Sequence, residues 1–515
     1  MYLITIFIAS IYFFLFVNNN TIKWISVSGI LLTAIAWRFG SWMHPNSLCI
    51  DEAEWLALAG RAGDCGIPYR CYNGGTSGFL TVGFVSLIEL LGLKLSYFNL
   101  RIFGFIGCII PTIIFTFLGL KKWYGQNIAV IVFPWLAMFM IFGFYNREFL
   151  SYNTEYILMF LFSVTFYFYA CWKERNFDRM HEPILMAVIL GILPYFKLQA
   201  VPFVFAFYTI IIWQFWTSRN WIRLAVWNLI LALPTIIFFS YFIFHNVFDD
   251  FYLMYINFNM FYVDQPVVSY RYSDNDFVHR LRAFKGMHIT AFLPFYIGLI
   301  PVVLINIKHI ISVRFAILSK IVIWIFILGC YGTYAPGTGF GHYNLLLIVP
   351  IIFVLGSFYQ NLEADKMRIN RWLTLIGVSI TSMIYCKQAE FYDVVSGHSC
   401  SDTEKYIVKQ TTPKEQVLFL GYSKSLEAIV CTGRKMPVRN ASAYCISIKD
   451  SVLRAYFQAR FFEDMGNSKP RFVVDMEEVL DRPALMPVKN YLNAHYWPDT
   501  SIEGNMIYRI KTKNQ

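Results

Sequence analysis

The sequence predicts an all-α polytopic membrane protein with a small α/β domain at its C-terminal end, and three observations carry that prediction. Hydrophobic residues make up 57% of the chain, aromatics 19% and charged residues 15%, more apolar surface than a water-soluble chain can bury. Apolar runs long enough to span a bilayer, or nearly so, recur along the first three-quarters of the sequence. After about residue 388 the pattern changes to short apolar strands interleaved with an amphipathic stretch.

The apolar runs fall at 3–17, 22–40, 99–120, 126–143, 156–172, 183–195, 200–216, 223–244, 289–307, 318–331, 343–358 and 372–387, which gives about 12–13 transmembrane helices when the ambiguous run 78–93 is included. Met1 to Val17 has no basic flank, and Asn18, Asn19 and Asn20 follow it instead of a small-residue cleavage site. It reads as a permanent helix rather than a cleaved signal.

Orientation decides the run 78–93. If it does not cross, one side receives Lys23, Lys121, Lys122, Lys173, Arg175, Arg179, Arg219, Arg223, Lys308, Arg314, Lys320, Lys366, Arg368 and Arg371. Short basic loops mark the cytoplasmic side. A crossing at 78–93 would exchange the sides partway along the chain, so the run is placed as a helix in or near the outer interface. The net charge of +11 is then an orientation signal, and nucleic acid is excluded as a partner.

The chain thus divides into a transmembrane domain, 1–387, with outer loops 41–98, 144–155, 245–287 and 332–342, and an outer domain, 388–515. In the latter, Glu415 to Gly421, Pro470 to Met476 and Met506 to Lys511 read as strands and Ile446 to Met465 as a helix. No internal repeat is visible. Cys49, Cys65, Cys71, Cys400, Cys431 and Cys445 all fall in outer segments. Cys65 and Cys71 bracket a short loop that a disulfide could close outside the cytosol, with free thiols the alternative. No Cys/His spacing resembles a zinc site.

Four places carry residues fit for chemistry. Asp51, Glu52 and Glu54 crowd the start of a predicted helix in the first outer loop. Asp51 as an N-cap with Glu54 closing a capping box is one reading; a carboxylate acting as general base at the membrane surface is the other. Glu155 lies at the mouth of a span, where a carboxylate needs a partner or a function; a salt bridge of Glu155 or Glu148 to Arg147 is the simple alternative. Lys197 sits between Pro194 and Pro202, in a predicted broken turn. It either snorkels to the interface or meets an anionic lipid headgroup. Gly337 to Tyr343 is a glycine-rich stretch whose His342 and Tyr343 can donate to phosphate oxygens. The loop 245–287 adds Arg271, Arg280, Arg282 and Lys285, unusual positive charge for an outer segment.

Taken in order, Asp51-Glu52 after an early span, Arg101 opening the next, NREFLSYNTE before another, PYFKLQAVP and GHYNLLLIVP resemble the GT-C glycosyltransferases. The likeness is nearest to the branch holding the aminoarabinose transferases of lipid A and the protein O-mannosyltransferases. It covers most of the chain and rests on order and spacing rather than on one sharp motif. This chain departs from the family pattern in having two apolar runs before the acidic loop instead of one.

The resemblance implies transfer of a sugar from a polyprenyl-phosphate carrier to a glycan, lipid or protein acceptor on the outer side of the membrane. Asp51, or its neighbour Glu52, would take the acceptor's proton. Lys197, His342, Tyr343, Arg271 and Arg280 would hold the donor phosphate. Glu155 would position the acceptor or share a divalent metal ion with the first-loop acids; some members of the superfamily use such an ion and others do not. A lipid-linked glycan polymerase or ligase is the alternative, and a transporter or flippase a weaker one. A bacterial inner membrane is favoured, with the active site and C-terminal domain periplasmic, while the lone sequon Asn440-Ala441-Ser442 keeps an endoplasmic reticulum location open.

Overall fold

The structure is a computed structural model, and it describes residues 2–143, 147–264, 285–312, 317–334, 340–360, 364–388, 400–440 and 442–511. Six helices are long and apolar enough to cross a membrane: Asn20–Met43, Tyr97–Tyr124, Thr154–Glu174, Leu198–Thr217, Trp221–Phe244 and Gly341–Phe358. Shorter apolar helices occupy Tyr2–Phe16, Phe79–Leu90, Gln126–Phe142, His181–Tyr195, Thr290–Asn306 and Lys320–Tyr334. The Phe79–Leu90 helix has 12 residues. At 1.5 Å per residue it rises about 18 Å, well short of a bilayer core about 30 Å thick. Two helices, not one, precede the acidic loop.

The chain packs as two compact units. The first contains 1–42, 102–238 and 262–392; the second contains 43–101, 239–261 and 393–515. The segment after 388 therefore folds with the first outer loop and with a short stretch after 238.

In the first unit the helices Gln126–Phe142, Thr154–Glu174 and Leu345–Phe358 form the core and are buried over most of their lengths. Prolines sit inside several helices, at Pro134, Pro234, Pro294, Pro301 and Pro350, as membrane helices tolerate when neighbours satisfy the freed carbonyls. Glycine lets backbones touch: a Cβ at Gly191 would lie 2.5 Å from the Leu231 carbonyl oxygen, and one at Gly298 2.5 Å from that of Gly377. Asn306 and Asn370 exchange side-chain hydrogen bonds along the same helix pair. Small residues and polar pairs are how helices associate where no hydrophobic effect separates them from lipid.

The second unit holds a four-stranded sheet, β1 (Val417–Leu420), β2 (Phe472–Asp475), β3 (Tyr496–Ile502) and β4 (Asn505–Ile510), in the order β1-β2-β4-β3. β1 and β2 are parallel and wholly buried, hence their continuous apolar runs. β3 and β4 form a hairpin whose two turn residues, Glu503 and Gly504, both have positive φ, 53° and 80°, the demand of a tight primed turn. The helix expected at 446–465 runs Ser451–Ser468, because Asp450 caps it by accepting from the Leu453 N–H at 2.8 Å.

Disulfides join Cys65 to Cys71 and Cys400 to Cys431. Asn440 of the sequon is buried, and its Oδ1 accepts from Asn73 Nδ2 at 2.9 Å. A glycan cannot be attached to a side chain so enclosed, so the sequon no longer argues for an endoplasmic reticulum location.

Candidate functional site

The first unit gathers four of the sequence-predicted residues. Helix 181–195 ends in a 3-10 turn at Leu193–Tyr195, and a second 3-10 turn, Leu198–Ala200, precedes the Val201–Thr217 helix. Lys197 lies between the turns with an extended backbone, φ −163° and ψ 132°. The break aims its side chain into protein, where it is 4% exposed. Its Nζ donates to Glu155 Oε1 at 2.5 Å and stands 4.5 Å from the centre of the Tyr343 ring. Glu155, at the start of the Thr154–Glu174 helix, is wholly buried. Its second oxygen, Oε2, has no hydrogen-bond partner among the described residues. Lys197 is thus an internal cation and not a snorkelling one.

His342 and Tyr343 lie on the 3-10 turn Gly341–Asn344 and are both buried. His342 Nδ1 meets Glu148 Oε2 at 3.1 Å, and its backbone N–H donates to the same oxygen at 3.3 Å. Burial alone would raise the Glu148 pKa. The hydrogen bonds and charge of His342, with backbone N–H groups of His342 and Gly341, outweigh it and hold the carboxyl below its ordinary value. The alternative of a bridge from Glu155 or Glu148 to Arg147 falls on a side chain outside the described residues.

Two supports of this cluster were not singled out in the sequence. Arg38, buried, donates to the carbonyl oxygens of Met140 at 3.1 Å and Phe149 at 3.4 Å, fixing the turn that carries Glu148. His288 Nδ1 meets Tyr334 Oη at 2.6 Å, and Tyr334 donates to Asn344 Oδ1 at 2.5 Å. Tyr334 can therefore only accept from His288, which places the ring proton on Nδ1 and lets Tyr296 donate to Nε2 at 2.5 Å. Burial lowers the His288 pKa to about 4, in keeping with this neutral tautomer. Asn344 Nδ2 finally donates to the Gly341 carbonyl at 3.0 Å, so the chain of bonds ends on the turn that carries His342.

The second unit holds the first-loop acids. Its helix runs Ile50–Cys65 with Cys49 as N-cap and no side-chain cap bond. The capping box read from Asp51 and Glu54 is not formed, because the helix starts two residues earlier and puts Asp51 inside the first turn. Glu52 is wholly buried. Arg101 Nε donates to its Oε1 at 2.9 Å and Nη2 to its Oε2 at 2.6 Å, while the Leu48 N–H donates to Oε2 at 2.9 Å. Arg101 also donates to the carbonyl oxygens of His44 and Asn46 at 2.7 and 2.5 Å. Both Glu52 oxygens are thus engaged by donors of the protein itself. Asp51 is partly exposed.

Arg271 and Arg280 lie outside the described residues. A divalent metal finds little support in the groups that are described. Glu52 is engaged on both oxygens by Arg101, and Glu155 offers one oxygen beside a lysine. The single group with metal-like spacing among the described residues, Cys400, Glu404 and Cys431, contains two disulfide-bonded sulfurs, which are not thiolate ligands.

No protein-family model matches the chain, and no curated protein does. Solved structures do. ArnT from Cupriavidus metallidurans bound to undecaprenyl phosphate superimposes with a TM-score of 0.60 at 13% identity, over 94% of this chain and 98% of that one. The same protein in the apo state gives 0.59 at 12% identity, over 95% and 98%. At such identity the likeness is one of fold. The chain has the fold of ArnT.

Proposed function

We propose that this protein is a membrane glycosyltransferase that moves a sugar from a polyprenyl-phosphate carrier to a hydroxyl acceptor on the outer side of the membrane, and that the carrier's phosphate is held at Lys197. The observation that carries the proposal is the buried Lys197–Glu155 pair, whose second carboxylate oxygen has no partner among the described residues. A buried polar atom left unsatisfied calls for an explanation, and a ligand is one. The fold is shared with a protein solved with undecaprenyl phosphate.

The chemistry follows from the groups present. The acceptor oxygen attacks the anomeric carbon, the bond from that carbon to the phosphate oxygen breaks, and the polyprenyl phosphate departs as an anion. An anionic leaving group needs cations and hydrogen-bond donors, not an acid. Lys197 has ammonium protons beyond the one given to Glu155, Tyr343 stands beside it, and the His342 ring lies against Tyr343. Glu155 Oε2 can accept a hydroxyl of the sugar, which fixes the sugar against the phosphate. The acceptor's proton requires a base, and Asp51 is the candidate because Glu52 is engaged by Arg101.

The test uses the purified full chain in proteoliposomes with undecaprenyl phosphate as the probe. Wild type should bind it, and Lys197→Gln should bind it at least about tenfold more weakly, the loss of one charge-assisted contact. Equal binding by the two proteins, with equal thermal stability, would remove Lys197 from the donor site.

A further inference from the structure

At the opposite end of the Thr154–Glu174 helix from Glu155 lies a cavity of about 510 Å³. Lys173 stands 18 residues beyond Glu155 on that helix, roughly 27 Å along its axis at 1.5 Å per residue. This space is therefore separate from the cluster around Lys197. Its lining comes from three helices and is sorted by polarity. Lys173 lies in the last turn of Thr154–Glu174, Gln214 near the end of Val201–Thr217, and Lys320 near the start of Ile317–Tyr334. With Lys173 and Gln214 near the ends of their helices and Lys320 near the start of its own, the third helix runs opposite to the other two and the three polar groups share one end. The rest of the wall is mostly apolar, with Trp213, Trp324, Ile321 and Ile210, and the Thr209 hydroxyl in it accepts from Trp324 Nε1 at 3.0 Å.

Lys173 Nζ donates to the Trp123 carbonyl at 3.3 Å and lies 5.7 Å from the centre of its ring. Among the described residues no carboxylate pairs with Lys173 or Lys320, although Glu174 next door pairs with Lys122. Trp213, Trp216 and Trp221 are all more than half exposed or close to it, at 60%, 59% and 50%. Tryptophans gathered at one end of spanning helices mark the membrane–water interface.

We propose that this cavity is a binding site for an anionic phospholipid, with the headgroup phosphate between Lys173 and Lys320 and an acyl chain along Trp213, Trp324 and Ile321. Two cations above an apolar slot match an anionic amphiphile, and the position on bilayer-spanning helices makes a membrane lipid the source. Gln214 supplies a side-chain amide donor to the headgroup. The site does not depend on the reading of Lys197 as a donor-phosphate ligand.

The experiment reconstitutes the full chain after delipidation and titrates it with dioleoyl phosphatidylglycerol or dioleoyl phosphatidylcholine, counting retained lipid by native mass spectrometry. Wild type should retain phosphatidylglycerol in preference to phosphatidylcholine. Each of Lys173→Gln and Lys320→Gln should weaken that retention about 5-fold, near the effect of one interfacial lysine. Lys94→Gln, at an exposed lysine of the other unit, should leave it unchanged. Equal retention of the two lipids by wild type, or unchanged phosphatidylglycerol retention in both single variants, would overturn the proposal.

Discussion

Glu52 and Glu155 are both wholly buried, and each meets one buried cation of the protein. What surrounds the two pairs differs. Arg101 grips Glu52 with two nitrogens and reaches two backbone carbonyls besides, and a backbone N–H completes the carboxylate. Lys197 gives Glu155 one proton and leaves the other oxygen bare among the described residues. A planar fork suits a closed, permanent clasp; a point charge on a flexible stem suits a site that must accept something else. A buried pair saturated from within has no capacity left for a ligand, whereas one left incomplete has it.

The contrast breaks most sharply at Arg101. Arg101→Ala strands a buried carboxylate and should destabilise the second unit by about 3–5 kcal/mol. Loss of expression, or a large fall in thermal midpoint, is the expected result. An Arg101→Ala protein as stable as wild type would show that the clasp holds nothing. The double variant Lys197→Met with Glu155→Gln leaves no stranded charge and should fold. Its transfer activity should fall by about 2–4 kcal/mol in transition-state terms, the scale of losing an electrostatic contact to a developing anion. Near wild-type turnover at limiting lipid-linked donor would make the second pair as structural as the first.

Asp51 sharpens the comparison within one helical turn. Asn preserves size and hydrogen bonding but accepts no proton at neutral pH, so Asp51→Asn should keep its thermal midpoint and lose about 10²-fold in activity. Full activity would sink the assignment. Loss confined to Glu52→Gln would return the base to a residue that the Arg101 clasp argues against. The smallest effect belongs to Glu148. Its pKa is lowered in the fold, so its contact with His342 stabilises above the ordinary carboxylate pKa and is lost as pH falls through the lowered value. Its side chain is a quarter exposed, so the contribution is about 0.5–1 kcal/mol after solvent screening. Glu148→Gln should show a shallower acid limb in a plot of thermal midpoint against pH, and an unchanged limb would count against the contact.

Much of the helical layout was legible because apolar length and proline spacing are local signals. The twelve apolar runs each coincide with a helix, and the prolines around Lys197 announced the interruption that buries it. Partners were not legible. Glu155 and Lys197 are 42 residues apart, Glu52 and Arg101 49, Glu148 and His342 194, and nothing in a single sequence encodes which of several carboxylates a given cation will meet. His288 was passed over because a histidine before an apolar run has no distinguishing neighbours; its meaning lies in Tyr334 and Asn344. β3 was missed for a different reason. It is an edge strand carrying Pro498 and Asp499, with mostly exposed side chains, so it lacks the apolar alternation that marks a half-buried strand.

The composition of the second unit has a consequence for biosynthesis. Its first segment ends at 101 and its last begins at 393. At translation rates of about 5–20 residues per second, the first segment waits some 15–60 s for the last. During that interval Arg61 has no Met436 carbonyl to donate to, Asp64 no Lys435 and Asn73 no Asn440. Both disulfides, by contrast, close inside one segment, across separations of 6 and 31 residues. Neither oxidation step has to await the distant partner, and neither can trap the early loop against the wrong stretch of nascent chain. The covalent links are local, each made within its own segment, and the non-covalent assembly of the unit comes last.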